Sequence, residues 1–125
     1  MKLLNTKKRV LLLDKDNGLI NNVDELLFTG EWDVFITFDP NAVFDCAKKF
    51  NPDLIILDYT LLDNDCALIC QDFKQDSALQ NIPIIILTAY KTSKVTADSY
   101  KCDALFVKPR DFEVLAAKMD ILLAS

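Results

Sequence analysis

The sequence predicts an α/β fold: one domain over residues 1–125, in three layers, with a (βα)5 doubly wound parallel sheet. Short apolar runs alternate with stretches of helical spacing along the chain, which is typical of right-handed βαβ units. The run over residues 54–57 is wholly apolar, follows Pro52 and is too short for a helix. It therefore predicts a strand that is covered on both faces, in the middle of the sheet.

Two further strands are predicted before this central one. Residues 10–13 form the first strand, which ends on Asp14. Residues 19–29 carry apolar side chains at helical spacing, and Gly30 is placed to end that helix. Residues 33–38 alternate in the way expected of a shorter strand near an edge of the sheet.

The second and third helices flank the central strand, which ends on Asp58. Asp39 and Pro40 are predicted to open the second helix, as its N-cap and first-turn residue. Its inward positions are predicted at Ala42, Val43, Ala47 and Phe50. Asp65 is predicted to cap the third helix. The apolar positions of that helix are Ala67, Leu68, Ile69 and Phe73.

The same pattern continues to the end of the chain. Residues 84–87 predict the fourth strand, which ends on Thr88, and residues 104–107 the fifth, which ends on Lys108. Between these strands, residues 91–101 predict a weak, polar helix with little to bury. The N-cap and apolar positions of the last helix are predicted at Asp111, Phe112, Leu115, Ile121 and Leu122.

Composition and charge exclude several classes of protein. The chain has 125 residues, of which 51% are hydrophobic and 26% charged, and its net charge is -5. This acidic balance argues against a nucleic-acid-binding surface, and no apolar run is long enough to span a membrane. The N-terminus lacks the apolar core of a signal peptide, so we expect the chain to be cytoplasmic.

The residue types also limit the chemistry. The sequence has no histidine, which excludes Ser–His and Cys–His nucleophile pairs and zinc sites that need histidine. The cysteines form no Cys-x-x-Cys pair, and we expect them to be small packed residues that remain thiols in a reducing compartment. They are Cys46, Cys66, Cys70 and Cys102.

Polar side chains follow four of the five predicted strands. Asp14, Asp58, Thr88 and Lys108 should meet at one edge of a parallel sheet, where open α/β folds bind ligands. Singly, an aspartate here is most often a helix N-cap, and a threonine or lysine is most often a surface residue. Together they suit phosphoryl transfer, because a carboxylate can attack phosphorus while a carboxylate-bound cation, an ammonium group and a hydroxyl neutralise or bind its oxygens.

The sequence resembles the receiver domain of bacterial two-component response regulators over essentially its whole length. The motifs that carry the resemblance are VLLLD (10–14), PDLIILD (52–58), IPIIILTA (82–89) and LFVKP (105–109). The resemblance implies a flavodoxin-like, CheY-like fold and a role in phosphorelay signal transduction. It also implies a histidine kinase or histidine phosphotransfer protein as phosphodonor, and an output domain or protein partner, with a homodimer as a further option.

Site roles follow from the same resemblance. It implies Asp58 as the phosphoacceptor, and Asp14, Asp58 and the backbone carbonyl of Thr60 as ligands of Mg²⁺. It implies Thr88 as the hydroxyl that follows the phosphoryl group and Lys108 as its ion-pair partner, with a cis peptide bond before Pro109. Such a domain is not an enzyme beyond self-catalysed phosphoryl transfer and dephosphorylation.

The first strand departs from the receiver pattern immediately after its end. Receivers usually carry two adjacent acids there, but the second position is Lys15, and Asp16 comes one place later. A lysine close to a dication weakens its binding, so Lys15 and Asp16 are expected to modulate a weak Mg²⁺ site. Leu62 and Leu105 replace a usual proline and a usual aromatic residue, which predicts altered coupling to the output.

Two other functions are compatible with parts of the sequence. The first is a degenerate receiver that acts as an interaction module without phosphorylation, favoured by Lys15 and Leu105. The second is a small haloacid-dehalogenase-type phosphatase, in which Asp14 attacks phosphate and Asp16 serves as acid and base. That family would leave the PDLIILD motif unexplained. A nucleotide-binding flavodoxin-like domain is disfavoured, because the two glycines build no phosphate-binding loop.

Overall fold

The computed structural model describes residues 7–15, 30–59, 64–89, 101–107 and 112–124. The helix predicted over residues 19–29 lies outside these ranges, and so does the helix predicted over residues 91–101 except for its last residue, Lys101. Five strands and three helices are described. The strands are β1 (Lys8–Asp14), β2 (Trp32–Thr37), β3 (Leu54–Tyr59), β4 (Ile84–Thr88) and β5 (Ala104–Val107). The helices are α1 (Val43–Phe50), α2 (Asn64–Gln75) and α3 (Phe112–Leu123).

All five strands are parallel and lie in the order β2-β1-β3-β4-β5. The predicted doubly wound parallel sheet is confirmed. Strand β3 occupies the centre, and the four residues 54–57 have no solvent-exposed surface. The uninterrupted apolar run was therefore a correct indicator of a strand buried on both faces.

The strands present alternate residues to two separate cores, one on each face of the sheet. On one face, Leu13, Leu57 and Ile86 belong to the core that includes the buried residues of α1 and α2. On the other face, Leu12, Ile56 and Leu87 belong to the core that contains residues of α3. Burying each large aliphatic side chain contributes about 1.5–3 kcal/mol, so both helical layers stabilise the central strand.

Helix α1 begins later than predicted. Asp39 is not its N-cap, because the helix starts at Val43 and Ala42 occupies the cap position. The Asp39 carboxylate instead accepts a hydrogen bond from the Asn41 N–H at 2.9 Å, and its carbonyl accepts one from the Ala42 N–H at 3.0 Å. The aspartate therefore stabilises a turn that precedes the helix, and Pro40 lies in that turn.

Some predicted positions on the other two helices are also wrong. Helix α2 already includes Asn64, so Asp65 lies in its first turn and is not the cap. A negative charge in the first turn interacts favourably with the helix dipole. Leu68 is 55% exposed and Ile121 is 64% exposed. The predicted positions Phe73 and Leu115 are fully buried in the core, and Ile69 and Leu122 pack against it. The other buried core residues of these helices are Cys66, Cys70, Met119 and Leu123. Asp111, the predicted cap of α3, lies outside the described residues.

The four cysteines are all free thiols. Cys66 and Cys70 are fully buried, as predicted, one helical turn apart on α2. Cys46 and Cys102 are only partly buried, at the margin of the same core. Within the described ranges, no helix has both the length and the apolar character needed to cross a bilayer.

Candidate functional site

Asp14 and Asp58 lie side by side at the carboxyl edge of the sheet. They are the last register partners of the neighbouring strands β1 and β3. Both are almost completely buried, with 4% and 2% of their surface exposed. The Cα atoms of paired strands are roughly 5 Å apart, so two negative charges are held close together in a poorly hydrated position. Such a pair favours binding of a cation.

Thr88 lies on the other side of Asp58, at the end of β4. Its register partner is Tyr59, while Asp58 itself is opposite Leu87. Thr88 is therefore one position further toward the carboxyl edge than Asp58, on the adjacent strand. It is fully buried, which rules out the interpretation of Thr88 as a surface residue. The strand order and register bring three of the predicted residues, Asp14, Asp58 and Thr88, to one edge.

Lys15 is held against the same end of β3. Its backbone N–H donates a hydrogen bond to the Asp58 carbonyl at 3.2 Å. Its ammonium group lies 4.9 Å from the centroid of the Tyr59 ring, within the range of a cation–π interaction. Because Lys15 is only partly exposed and both contacts are to β3, its positive charge belongs to the environment of the phosphoacceptor candidate.

Sequence reasoning did not single out Tyr59. The side chain is fully buried in the core on the α1 and α2 face. The sequence feature that could have indicated its contact with Lys15 is an aromatic residue directly after Asp58 combined with a lysine directly after Asp14. The two positions are neighbours because β1 and β3 are paired in register up to Asp14 and Asp58.

The remaining predicted site residues lie outside the described residues. They are Asp16, Thr60, Lys108 and Pro109. Among the described residues there is no group of three or more histidine, cysteine, aspartate or glutamate side chains that could hold a metal ion. The two carboxylates that are described, Asp14 and Asp58, provide oxygen donors of the kind that Mg²⁺ prefers. The donor chemistry of this edge therefore fits Mg²⁺.

The family assignment rests on a match to a family model. The response regulator receiver domain matches residues 10–120, which is most of the chain. The chain belongs to the response regulator receiver domain family. Receiver domains are signalling domains of two-component systems, generally bind Mg²⁺, and act with histidine kinases and output domains.

Curated relatives agree with this assignment. The response regulator ArlR of Staphylococcus haemolyticus is 33% identical over 116 residues, which cover 91% of this chain and 52% of the relative. The DNA-binding dual master transcriptional regulator RpaA of Synechocystis is 30% identical over 117 residues, or 92% of this chain and 48% of the relative. This receiver thus spans about half the length of the curated relatives it matches. Neither protein supports the phosphatase alternative.

Solved structures confirm the flavodoxin-like, CheY-like fold. The signal receiver domain of a DNA-binding response regulator from Colwellia psychrerythraea has a TM-score of 0.81 at 21% identity, covering 95% of this chain and 100% of that one. The chemotaxis response regulator CheY4 of Vibrio cholerae has a TM-score of 0.76 at 20% identity, covering 94% and 99%. Identities this low support the fold alone.

Proposed function

We propose that residues 1–125 form one receiver domain that accepts a phosphoryl group on Asp58 from a histidine kinase or a histidine phosphotransfer protein. The observation that carries the proposal is the pairing of Asp14 with Asp58 at the carboxyl edge, both nearly buried, with Thr88 at the end of the next strand. Asp58 is the most central of these residues, because β3 is the middle strand.

The proposed reaction moves one phosphoryl group between two side chains. An oxygen of the Asp58 carboxylate attacks phosphorus, and the bond between phosphorus and the donor histidine nitrogen breaks. The imidazole leaves with the bonding electron pair and regains a proton. Water can later attack the acyl phosphate and release inorganic phosphate, so the chain needs no further catalytic group to be a reversible switch. The domain is therefore a phosphoprotein and not an enzyme with a free substrate.

The other residues of this edge would bind the metal ion and the charged oxygens of the phosphoryl group. Asp14 and Asp58 would hold Mg²⁺ with the carbonyl of Thr60, and the ion would neutralise the phosphoryl oxygens. The Thr88 hydroxyl would donate a hydrogen bond to a phosphoryl oxygen, and Lys108 would pair with another. Asp16 would add a third carboxylate, whereas Lys15 would oppose metal binding by its charge.

The wider role follows from the kinds of partner that receivers use. The domain would work in the cytoplasm and pass its signal to an output domain or a separate protein, and a homodimer is one form that this output could take. The relative RpaA is a DNA-binding regulator, but the acidic receiver itself would not contact nucleic acid.

Incubation of the chain with acetyl phosphate and Mg²⁺ tests the proposal. Intact-mass spectrometry should find one added phosphoryl group. Borohydride reduction, which converts an aspartyl phosphate to homoserine with loss of phosphate, should then give homoserine at position 58. Asp58→Asn should abolish the label, whereas Asp33→Asn, which removes an exposed aspartate from β2, should leave it unchanged. Label on Asp14 would instead support the phosphatase, and the absence of label with donor and metal in excess would support the degenerate module.

A further inference from the structure

A groove lies between α1 and α2, on elements that carry none of the proposed phosphoryl-transfer residues. Its volume is about 250 Å³, and its lining includes Phe44 from α1 and Ile69 and Phe73 from α2. The rings of Phe44 and Phe73 pack against each other, with centroids 5.6 Å apart and planes tilted by 36°. Phe73 is fully buried, so the inner part of the groove is a fixed aromatic surface continuous with the core.

The rim that α2 contributes is apolar at its centre and acidic at both ends. Leu68 is 55% exposed, although leucine is among the residues most often buried. Asp65 and Asp72 precede and follow it by three and four positions, so all three side chains lie on one face of the helix. Both carboxylates are exposed, and none of the described lining residues is a lysine or an arginine.

Among the described residues, one cation approaches an aromatic ring of the groove, but its charge is already neutralised by an ion pair. The ammonium group of Lys48 lies 5.3 Å from the centroid of the Phe44 ring. The same group makes an ion pair with Asp76 at 2.9 Å. The charges of Lys48 and Asp76 cancel, which leaves the groove with the negative charges of Asp65 and Asp72 around an exposed leucine.

We propose that this groove docks a basic, amphipathic segment of a partner protein. A guanidinium or ammonium group of the segment would lie between Asp65 and Asp72, and an apolar side chain would cover Leu68 and enter the groove over Phe44. The negative charge of Asp65 and Asp72 favours binding of a cationic segment and opposes binding of nucleic acid or an anionic membrane. The volume is below the usual range for small-molecule pockets, and it suits one or two side chains of a peptide.

The probe for this proposal is a short fluorescent peptide that alternates leucine and arginine. Amide chemical shifts of the unphosphorylated chain, measured on titration with the peptide, should change mainly in α1 and α2. Asp65→Asn combined with Asp72→Asn should weaken binding at least about tenfold, and Leu68→Ser by a similar factor. Added salt should weaken binding to the parent chain more than binding to the double variant.

Matched variants separate the groove from the net charge of the chain. Asp33→Asn with Asp120→Asn removes two exposed aspartates elsewhere, and Val114→Ser removes an apolar side chain of similar exposure, 52%, from α3. Both should bind the peptide as the parent chain does. The proposal is overturned if these controls weaken binding equally, if the shifts map elsewhere, or if no binding occurs at millimolar peptide. Sedimentation showing a dimer that Asp65→Asn with Asp72→Asn dissociates would overturn it in favour of a second copy of the chain.

Discussion

Lys15 is the residue that most alters the candidate phosphoryl-transfer site. It stands where receivers usually have an acid, and its ammonium group is held 4.9 Å from the Tyr59 ring centroid while its N–H contacts the Asp58 carbonyl. A cation fixed by these contacts reduces the negative potential of the carboxylate pair. The Lys15 ammonium group would therefore compete with Mg²⁺ for the carboxylate pair.

Replacement of Lys15 by aspartate should therefore tighten Mg²⁺ binding at least about tenfold, which corresponds to about 1.4 kcal/mol. Titration calorimetry of the unphosphorylated chain measures this directly. Lys7→Asp makes the same charge change at an exposed position just before β1, roughly 26 Å away along the strand, and should have little effect. If Lys15→Asp and Lys7→Asp change the affinity equally, only net charge matters and Lys15 is not part of the site.

The cysteine thiols differ in their environments, which predicts an order of modification. Burial raises the pKa of the Cys102 thiol to about 12, and negative charge on Cys70 would add to this effect. The pKa of Cys70 is lowered, mainly by a hydrogen bond from Cys66, but Cys66 and Cys70 are fully buried and out of reach of reagents. Cys46 is partly exposed and lines an open surface groove beside Phe35.

Maleimide at mildly alkaline pH should therefore label Cys46 first, and the other three thiols only after urea is added. Peptide mass spectrometry at successive times identifies each labelled site. Cys46→Ser should remove the fast phase and leave the slow ones unchanged. Rapid labelling of Cys102 in the folded chain would contradict the expected protonated, poorly reactive thiol.

At the scale of elements, Asp76 joins α1 to the turn that follows α2. Its carboxylate accepts hydrogen bonds from Lys48 at 2.9 Å and from the N–H groups of Ala78 and Leu79, both at 3.0 Å. These hydrogen bonds lower the pKa of Asp76 below its ordinary value of 3.8, and the one from Lys48 has the largest effect. Because the folded pKa is depressed, the contribution to stability is present above about pH 3.8 and is lost as the pH falls through the folded value.

Lys48→Met should raise the pKa of Asp76 toward 3.8, because it removes the largest of these interactions. Titration of the Asp76 carboxyl carbon by nuclear magnetic resonance measures the shift. Lys49→Met removes the neighbouring exposed lysine and should leave the pKa of Asp76 unchanged. An equal shift in both variants would show that the general electrostatic field, and not the ion pair, lowers the pKa.

The elements also show which features the sequence could predict. The five strands were recognised because short apolar runs that end in polar residues leave little choice of structure, and parallel register then brings Asp14 beside Asp58. Helix starts were harder, because an aspartate such as Asp39 can stabilise a turn as readily as a helix terminus. The faces of the helices were ambiguous where apolar residues are adjacent, which is why Leu68 was placed wrongly.

The site was only partly predictable for a related reason. The position of a strand-end residue follows from strand order, so Asp58 and Thr88 could be placed from sequence. The direction of a long side chain is not set by periodicity, so the contact of Lys15 with Tyr59 could not be inferred. The roles of Lys108, Thr60 and Asp16 stay predictions.

At the scale of the whole molecule, three layers make both faces of β3 part of a core. Ile55 lies in the core on the α1 and α2 face, and Ile56 in the core on the α3 face. Neither residue has any exposed surface. In a two-layer fold, one of two consecutive strand residues would face solvent and would contribute little to stability.

Ile55→Ala and Ile56→Ala should therefore each lower the free energy of unfolding by about 2–5 kcal/mol, since each deletes buried methyl groups from a packed core. Urea denaturation followed by circular dichroism measures both values, and the parent chain should unfold in one cooperative transition if residues 1–125 are a single domain. Ile121→Ala makes the same substitution at a side chain that is 64% exposed, so its effect should be under about 0.5 kcal/mol. If one of the two β3 variants were as mild as Ile121→Ala, the corresponding face of the sheet would lack a helical layer in solution. Large and similar losses in both would instead establish that the strand which presents Asp58 is stabilised from both sides.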